Sequence, residues 1–271
     1  MKNAVVADYD REIVSLSMNF IRFSAILIVL LWLTGMAQAE VYQYFDEEGT
    51  LVVTIRGEKT PKPPHHYHKD EGVQIAYRND VSYDYYPVSA GDFKTAIDYV
   101  NANGPFDAKE GRRYAARTRW TLGWRYKFDS SFRIDGDSVV VVLNIFDIEF
   151  LPEITVLLPE LAPGVRIDDN DGMLWNRFLQ GLLDHEHDHV RITQDPSVRA
   201  DAVRRISELR SLTLVLDPRE DINTQIKESV ETETARIGHD LIMKIKARNE
   251  EYDRITNHGM RPEMRDSFFG G

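Results

Sequence analysis

The sequence predicts an α+β protein in which antiparallel strands come first and long helices come last. Three observations carry this. Arg113 to Phe128 alternates, with Tyr114, Ala116, Thr118, Trp120, Leu122, Trp124, Tyr126 and Phe128 on one side of a long strand. An Asp135-Gly136 turn then precedes Val139–Ile145, an apolar, valine-rich run that reads as the central strand. Downstream, apolar residues recur at helical spacing in two long stretches. Strands followed by helices favour α+β over a parallel α/β sheet.

The elements can be justified in order. Arg22, the apolar run Ser24 to Leu33 and the small-x-small site Ala37-Gln38-Ala39 read as an export signal, too short for a comfortable membrane span. The true start would then be Met18, residues 1–39 would be removed, and the mature chain would begin at Glu40, secreted or periplasmic. Left uncleaved, the signal would be the only membrane attachment. Val41–Phe45, an acidic Gly49 turn and Leu51–Ile55 predict a short β-hairpin. Lys59 to His68 is a proline-rich linker, solvated on composition, in which His65, His66 and His68 form an exposed cluster that offers weak metal binding. Hairpin and linker together span residues 40–72, and one domain fills 73–271.

Within that domain Val73 to Pro87 is strand-like. Ser89 or Ala90 opens a helix to about Val100, stopped by Gly104-Pro105. Pro152 and Pro159 bracket a short extended piece. Met173, Leu174, Phe178, Leu182 and Leu183 set a helical stripe, widened by Trp175 and Leu179, that Val190 continues. Asp169, Asn170 or Asp171 would cap that helix, and Pro196 would end it. A second helix covers Val198 to Leu212. After Asp217-Pro218 a third runs from about Asp221 to Ile255 on a seam of Ile222, Ile226, Val230, Ile237, Leu241 and Ile245.

The chemistry is concentrated in the first of these helices, in His185-Glu186-x-x-His189. Residues four apart share a helix face, so two imidazoles can hold one metal while Glu186 acts as a general base without ligating. Zinc suits two histidines plus one further ligand, with a fourth position open. With no cysteine in the chain, any metal is held by His, Asp or Glu, and disulfides, iron–sulfur clusters and a cysteine nucleophile are excluded. A net charge of −11 argues against nucleic acid as a partner.

Tyr86-Pro-Val-Ser, Asn103-Gly-Pro105, Thr118-x-Trp120, the L-L-x-H-E-x-x-H helix and Tyr252-Asp-x-x-Thr-x-His-Gly259 together resemble the family DUF922, described as predicted secreted zinc-dependent proteases. The resemblance spans roughly Val73 to Phe269. It implies a zincin-like metallopeptidase acting on peptide or protein, with zinc as cofactor and His258, from the second motif, as third ligand. Glu231 or Glu233 is the alternative third ligand, and His239 is a weaker one, placed where a buried structural histidine is expected. Tyr252 and Asp253 would orient His258 or stabilise an oxyanion, or Asp253 would serve as a cap. Asp184 and Asp188 read either as acceptors that orient a histidine ring or as solvent-facing residues. His187 reads as solvated, and Trp120 and Trp124 as core. The other readings are a non-catalytic extracytoplasmic zinc-binding module and a structural envelope protein.

Overall fold

The structure is a computed structural model, and it describes residues 39–46 and 76–270. The expected export signal, the second strand of the expected hairpin and the histidine-rich linker lie outside the described residues. Among the described residues no helix is long and apolar enough to cross a membrane.

The fold is α+β around a mixed sheet. Its first strand is β1 (Ala39–Asp46), followed by β2 (Ser82–Val88), α1 (Phe93–Asn103) and a two-residue ladder, β3 (Phe106–Asp107) with β4 (Arg112–Arg113). Then come β5 (Arg117–Asp135), β6 (Ser138–Leu161), α2 (Asp169–Thr193), α3 (Pro196–Ser207), β7 (Ser211–Val215) and α4 (Ile222–Thr256). A 3₁₀ turn (Pro262–Met264) and a short α5 (Arg265–Phe269) follow. The sheet order is β1-β5-β6-β2, with β7 on the first part of β6. Only the β2–β6 pair is parallel.

The period-two pattern of β5 survives folding. Trp120, Leu122, Trp124, Tyr126 and Phe128 are all buried, as are Val139, Val141, Leu143 and Ile145 of β6, on one continuous core with α4. Several elements differ from expectation. Val41–Phe45 is an edge strand of the main sheet, paired with β5. The valine-rich run and the Pro152–Pro159 piece form one 24-residue strand, continuous past a bulge at Arg125/Lys127 and a left-handed Asp147. Pro152 and Pro159 each sit opposite a partner strand. The cap of α2 is Asp168, whose side chain accepts from Asp171 N–H. Pro196 opens α3 at its first turn, a position without an N–H to lose. The end of the expected second helix is β7, because Ser211–Val215 has an alternating pattern and an open edge of β6 to pair with.

Helix α4 is about 50 Å long at 1.5 Å per residue. It crosses the sheet where Gly238 meets Trp124, whose indole is stacked on Phe45 at 4.9 Å. Nearby the Tyr126 hydroxyl bonds Thr234 Oγ1 at 2.9 Å. Any Cβ at position 238 would stand 1.7 Å from Trp124 Cη2. Gly238→Ala should therefore overpack the crossing by about 1–3 kcal/mol or more, lowering Tm by several degrees. Gly181 of α2 has open space around its missing Cβ. Gly181→Ala should leave Tm unchanged or raise it, by removing backbone freedom from the unfolded chain. Thermal unfolding of the two variants, side by side, checks both.

Candidate metal centre

His185, Glu186 and His189 lie on α2, and Asn249 and Asp253 lie one turn apart on α4. The two helices pack so that three ligand-type atoms converge. His185 Nε2 is 3.1 Å from His189 Nε2, His189 Nε2 is 3.0 Å from Asp253 Oδ1, and His185 Nε2 is 3.2 Å from the same oxygen. Ligands of a tetrahedral ion bound at about 2.0–2.1 Å stand about 3.3 Å apart, so the triangle has the size such an ion needs. His185, His189 and Asp253 could hold a metal ion.

The tautomer of His189 is set from α4. Asn249 Nδ2 donates to Ile245 C=O at 3.0 Å, which turns Oδ1 towards His189 Nδ1 at 2.8 Å. An amide oxygen only accepts, so His189 Nδ1 carries the proton and Nε2 presents a lone pair to the triangle. A histidine oriented through its other nitrogen in this way is the usual arrangement around a bound metal. His185 is held differently. Its Nδ1 is buried without a hydrogen-bond partner among the described residues, and its ring lies stacked on Tyr252 at 5.2 Å and 20°. A Cβ on Gly259 would come within 3.1 Å of its Cγ. Asn257, His258 and Gly259 all have left-handed φ, and the turn they form brings Gly259 against the ring.

Burial opposes charge on His189, but Asp253 outweighs it and pushes the pKa up to about 9. For Asp253, burial would raise the pKa, yet the hydrogen bonds from His185 and His189 hold the carboxyl well below the usual range. His189 and Asp253 thus favour each other's charged forms.

Glu186 is 5% exposed. Thr118, at the start of β5, donates to its Oε2 at 2.6 Å, so the sheet holds the carboxylate. Asp188 is neither solvent-facing nor bonded to a histidine. It is 1% exposed, accepts from the Tyr252 hydroxyl at 2.5 Å, and takes a bidentate Arg265 at 2.6 and 2.7 Å. Tyr252 is therefore committed to Asp188 rather than free to stabilise an oxyanion. Asp184 is exposed and accepts from Gln180. His187 is half-buried rather than solvated, its Nε2 2.8 Å from the Tyr83 hydroxyl, and burial lowers its pKa.

His258 lies beside the triangle, with Nδ1 3.6 Å from Asp253 Oδ1. Its ring rests on Tyr114 at 4.7 Å, and its Nε2 faces the Tyr114 hydroxyl at 3.4 Å. Burial lowers its pKa. His258 thus stands beside the converging atoms, of which Asp253 Oδ1 is the third. Glu231 and Glu233 stand about six turns upstream on α4, roughly 30 Å along the axis, paired with Lys227 and Arg236. His239 is exposed rather than buried. Asp253, Asn249 and Thr118 complete the constellation. Sequence reading gave Asp253 only a supporting part, and nothing in the local pattern marks Asn249.

The protein is thus an α+β protein with two histidines and one aspartate, at a helix crossing, that could hold a metal ion. A family model described as bacterial protein of unknown function (DUF922) matches residues 83–259, and the chain belongs to that family. The match runs from the residue that bonds His187 to the glycine against His185. No curated protein and no solved structure matches the chain.

Two outcomes follow. Asp253→Ala should reduce bound metal far below one per chain, as should His185→Ala or His189→Ala. His258→Ala should retain it, and Glu231→Gln should be indistinguishable from wild type. Metal analysis after dialysis separates these. In the metal-free protein, His189 is raised above its ordinary 6.5, so its contribution to stability is complete below about 6.5 and lost as pH rises through about 9. Asp253, held low, contributes in full above about pH 4 and loses that contribution progressively as pH falls below it. Urea unfolding of the metal-free protein should show stability falling between about pH 6.5 and 9, and His189→Gln should flatten that fall.

Proposed function

We propose that the protein is an exported zinc-dependent metallohydrolase, zincin-like in its HExxH helix, acting on peptide bonds. The observation that carries this reading is the convergence of His185, His189 and Asp253 at 3.0–3.2 Å with Glu186 on the same helix, one residue from His185. The donor set fits zinc, being nitrogen and carboxylate oxygen with a tautomer fixed by Asn249. His185, His189 and Asp253 would hold the ion, which supplies Lewis acidity at the scissile carbonyl.

The chain's own residues account for the rest. Glu186 accepts a proton from the attacking water and returns it to the leaving amine. Thr118 fixes one oxygen of that carboxylate, so the base is oriented before substrate arrives. The burial of Glu186 and the partial burial of Asp253 limit competing water and strengthen the local field. His258, partly exposed and backed by Tyr114, is placed at the rim, where a neutral imidazole can donate to the carbonyl oxygen as it gains charge. The export signal in residues 1–39 supports action outside the cytoplasm.

Glu186→Gln is the decisive variant. The amide cannot accept a proton, and losing a general base costs about 10²–10⁴ in rate. Hydrolysis of an unfolded protein substrate should collapse in Glu186→Gln while zinc content stays level, and a chelator should abolish wild-type turnover. Both proteins binding zinc equally, with neither cleaving a broad peptide library, would overturn the peptidase reading and leave a zinc-binding module.

A further inference from the structure

The two histidines of the triangle are supported by different means. His189 is oriented by a hydrogen bond from its Nδ1 to Asn249. The matching nitrogen of His185 is buried with no such partner among the described residues. Its ring is fixed by surfaces instead, stacked on Tyr252 and closely approached by Gly259. A stacked ring orients its neighbour only if it is itself immobile. Tyr252 is 2% exposed, and its hydroxyl donates to Asp188. Asp188 is a buried carboxylate, and its charge is met by the bidentate guanidinium of Arg265, from α5. Phe268 and Phe269 of the same short helix close on the Tyr252 ring at 5.1 and 5.6 Å. Arg248 of α4 and Arg191 of α2 lie over Phe268 and Phe269 in turn.

From this chain of contacts we infer that Asp188, Tyr252 and Arg265 are positioning residues for His185, and that α5 sets the metal affinity of a histidine it does not touch. The inference rests on the metal-binding reading of the site and deepens it. Asp188 belongs to the same helical segment as the ligands, yet its part is to hold the ring on which a ligand leans. Arg265 makes that possible, because a buried carboxylate without a cation is strongly disfavoured and would swing towards water, taking its hold on the Tyr252 hydroxyl with it. Docking of α5 and metal binding are then coupled, and by linkage the coupling is reciprocal.

The test uses the full chain, titrated with zinc and with cobalt(II), whose visible absorption reports ligand geometry. Arg265→Met should weaken zinc binding about 10–100-fold, the usual range for losing an outer support of a ligand, and should alter the cobalt spectrum. Asp188→Asn combined with Arg265→Met removes both charges together and should restore affinity to within a few-fold of wild type. Tyr252→Phe keeps the stacked ring and should lose less affinity than Tyr252→Leu, which removes it. This pair decides the matter if circular dichroism shows Arg265→Met to be unfolded. Wild-type affinity and an unchanged cobalt spectrum in both Arg265→Met and Tyr252→Leu would overturn the positioning roles alone. Failure of the wild type to take up either metal would overturn the metal reading, and this inference with it.

Discussion

Two imidazole nitrogens and a carboxylate oxygen held 3.0–3.2 Å apart repel one another unless a cation lies among them, and the crossing of α2 over α4 forces that closeness. In the absence of metal His189 and Asp253 favour each other's charged forms, so His189 holds a proton more tightly and Asp253 less tightly than either would alone. The crossing therefore carries an electrostatic condition as well as a packing one. Apolar residues of the two helices, among them Leu183, Val190, Ile242 and Ile245, bury fully around it. Close packing there leaves little room for the polar atoms to relax apart.

The sheet supplies the fixed frame for this crossing. Helix α4 lies close enough to β5 that Trp124 fills the space of a missing side chain at Gly238, which sets the height of the helix above the sheet. The same strand presents Thr118 to Glu186, so the base and the helix that brings Asp253 are both registered against β5. Sites referenced to one rigid element hold their geometry better than sites built across loops. The β3–β4 ladder is fastened to α4 by the ion pair of Lys109 with Glu250 and leads into Tyr114, the residue under His258.

What was legible in the sequence was whatever repeats with a local period. The alternation of β5, the valine-rich half of β6, the stripes of α2 and α4, and the HExxH spacing all depend on neighbours within a few residues, and they lie in the elements the pattern predicts, although Met173 of the α2 stripe is exposed. What was not legible depends on tertiary geometry. The third atom of the triangle comes from a residue 64 positions downstream of His189, and whether Asp253 or His258 supplies it depends on a left-handed turn that Asn257 and His258 adopt despite their side chains. The burial of Asp188 could not be read from a polar run, since its partner Arg265 is 77 positions away. Ser211–Val215 alternates over only five residues and becomes β7 because β6 offers it an edge. The family motif Tyr252-Asp253-x-x-Thr256-x-His258-Gly259 pointed to the right segment without showing which of its atoms converge on the two histidines. Tyr252, Asp253 and Gly259 each touch a ligand histidine or its atoms, whereas His258 lies beside them.

Three carboxylates with little or partial exposure meet within two helices, and the chain balances each by a different chemical means. Asp188 is cancelled by a fixed guanidinium, which makes it a strut: its charge is spent inside the protein and is not available to a substrate. Asp253 is balanced by imidazoles that are themselves neutral unless they gain a proton, so its charge is answered only by whatever cation enters the triangle. Glu186 is met by a neutral hydroxyl, which fixes its direction without cancelling its charge. A carboxylate that is oriented and uncancelled is the form a general base requires. What each carboxylate is paired with thus decides whether its charge is cancelled, left open to a cation or only given a direction.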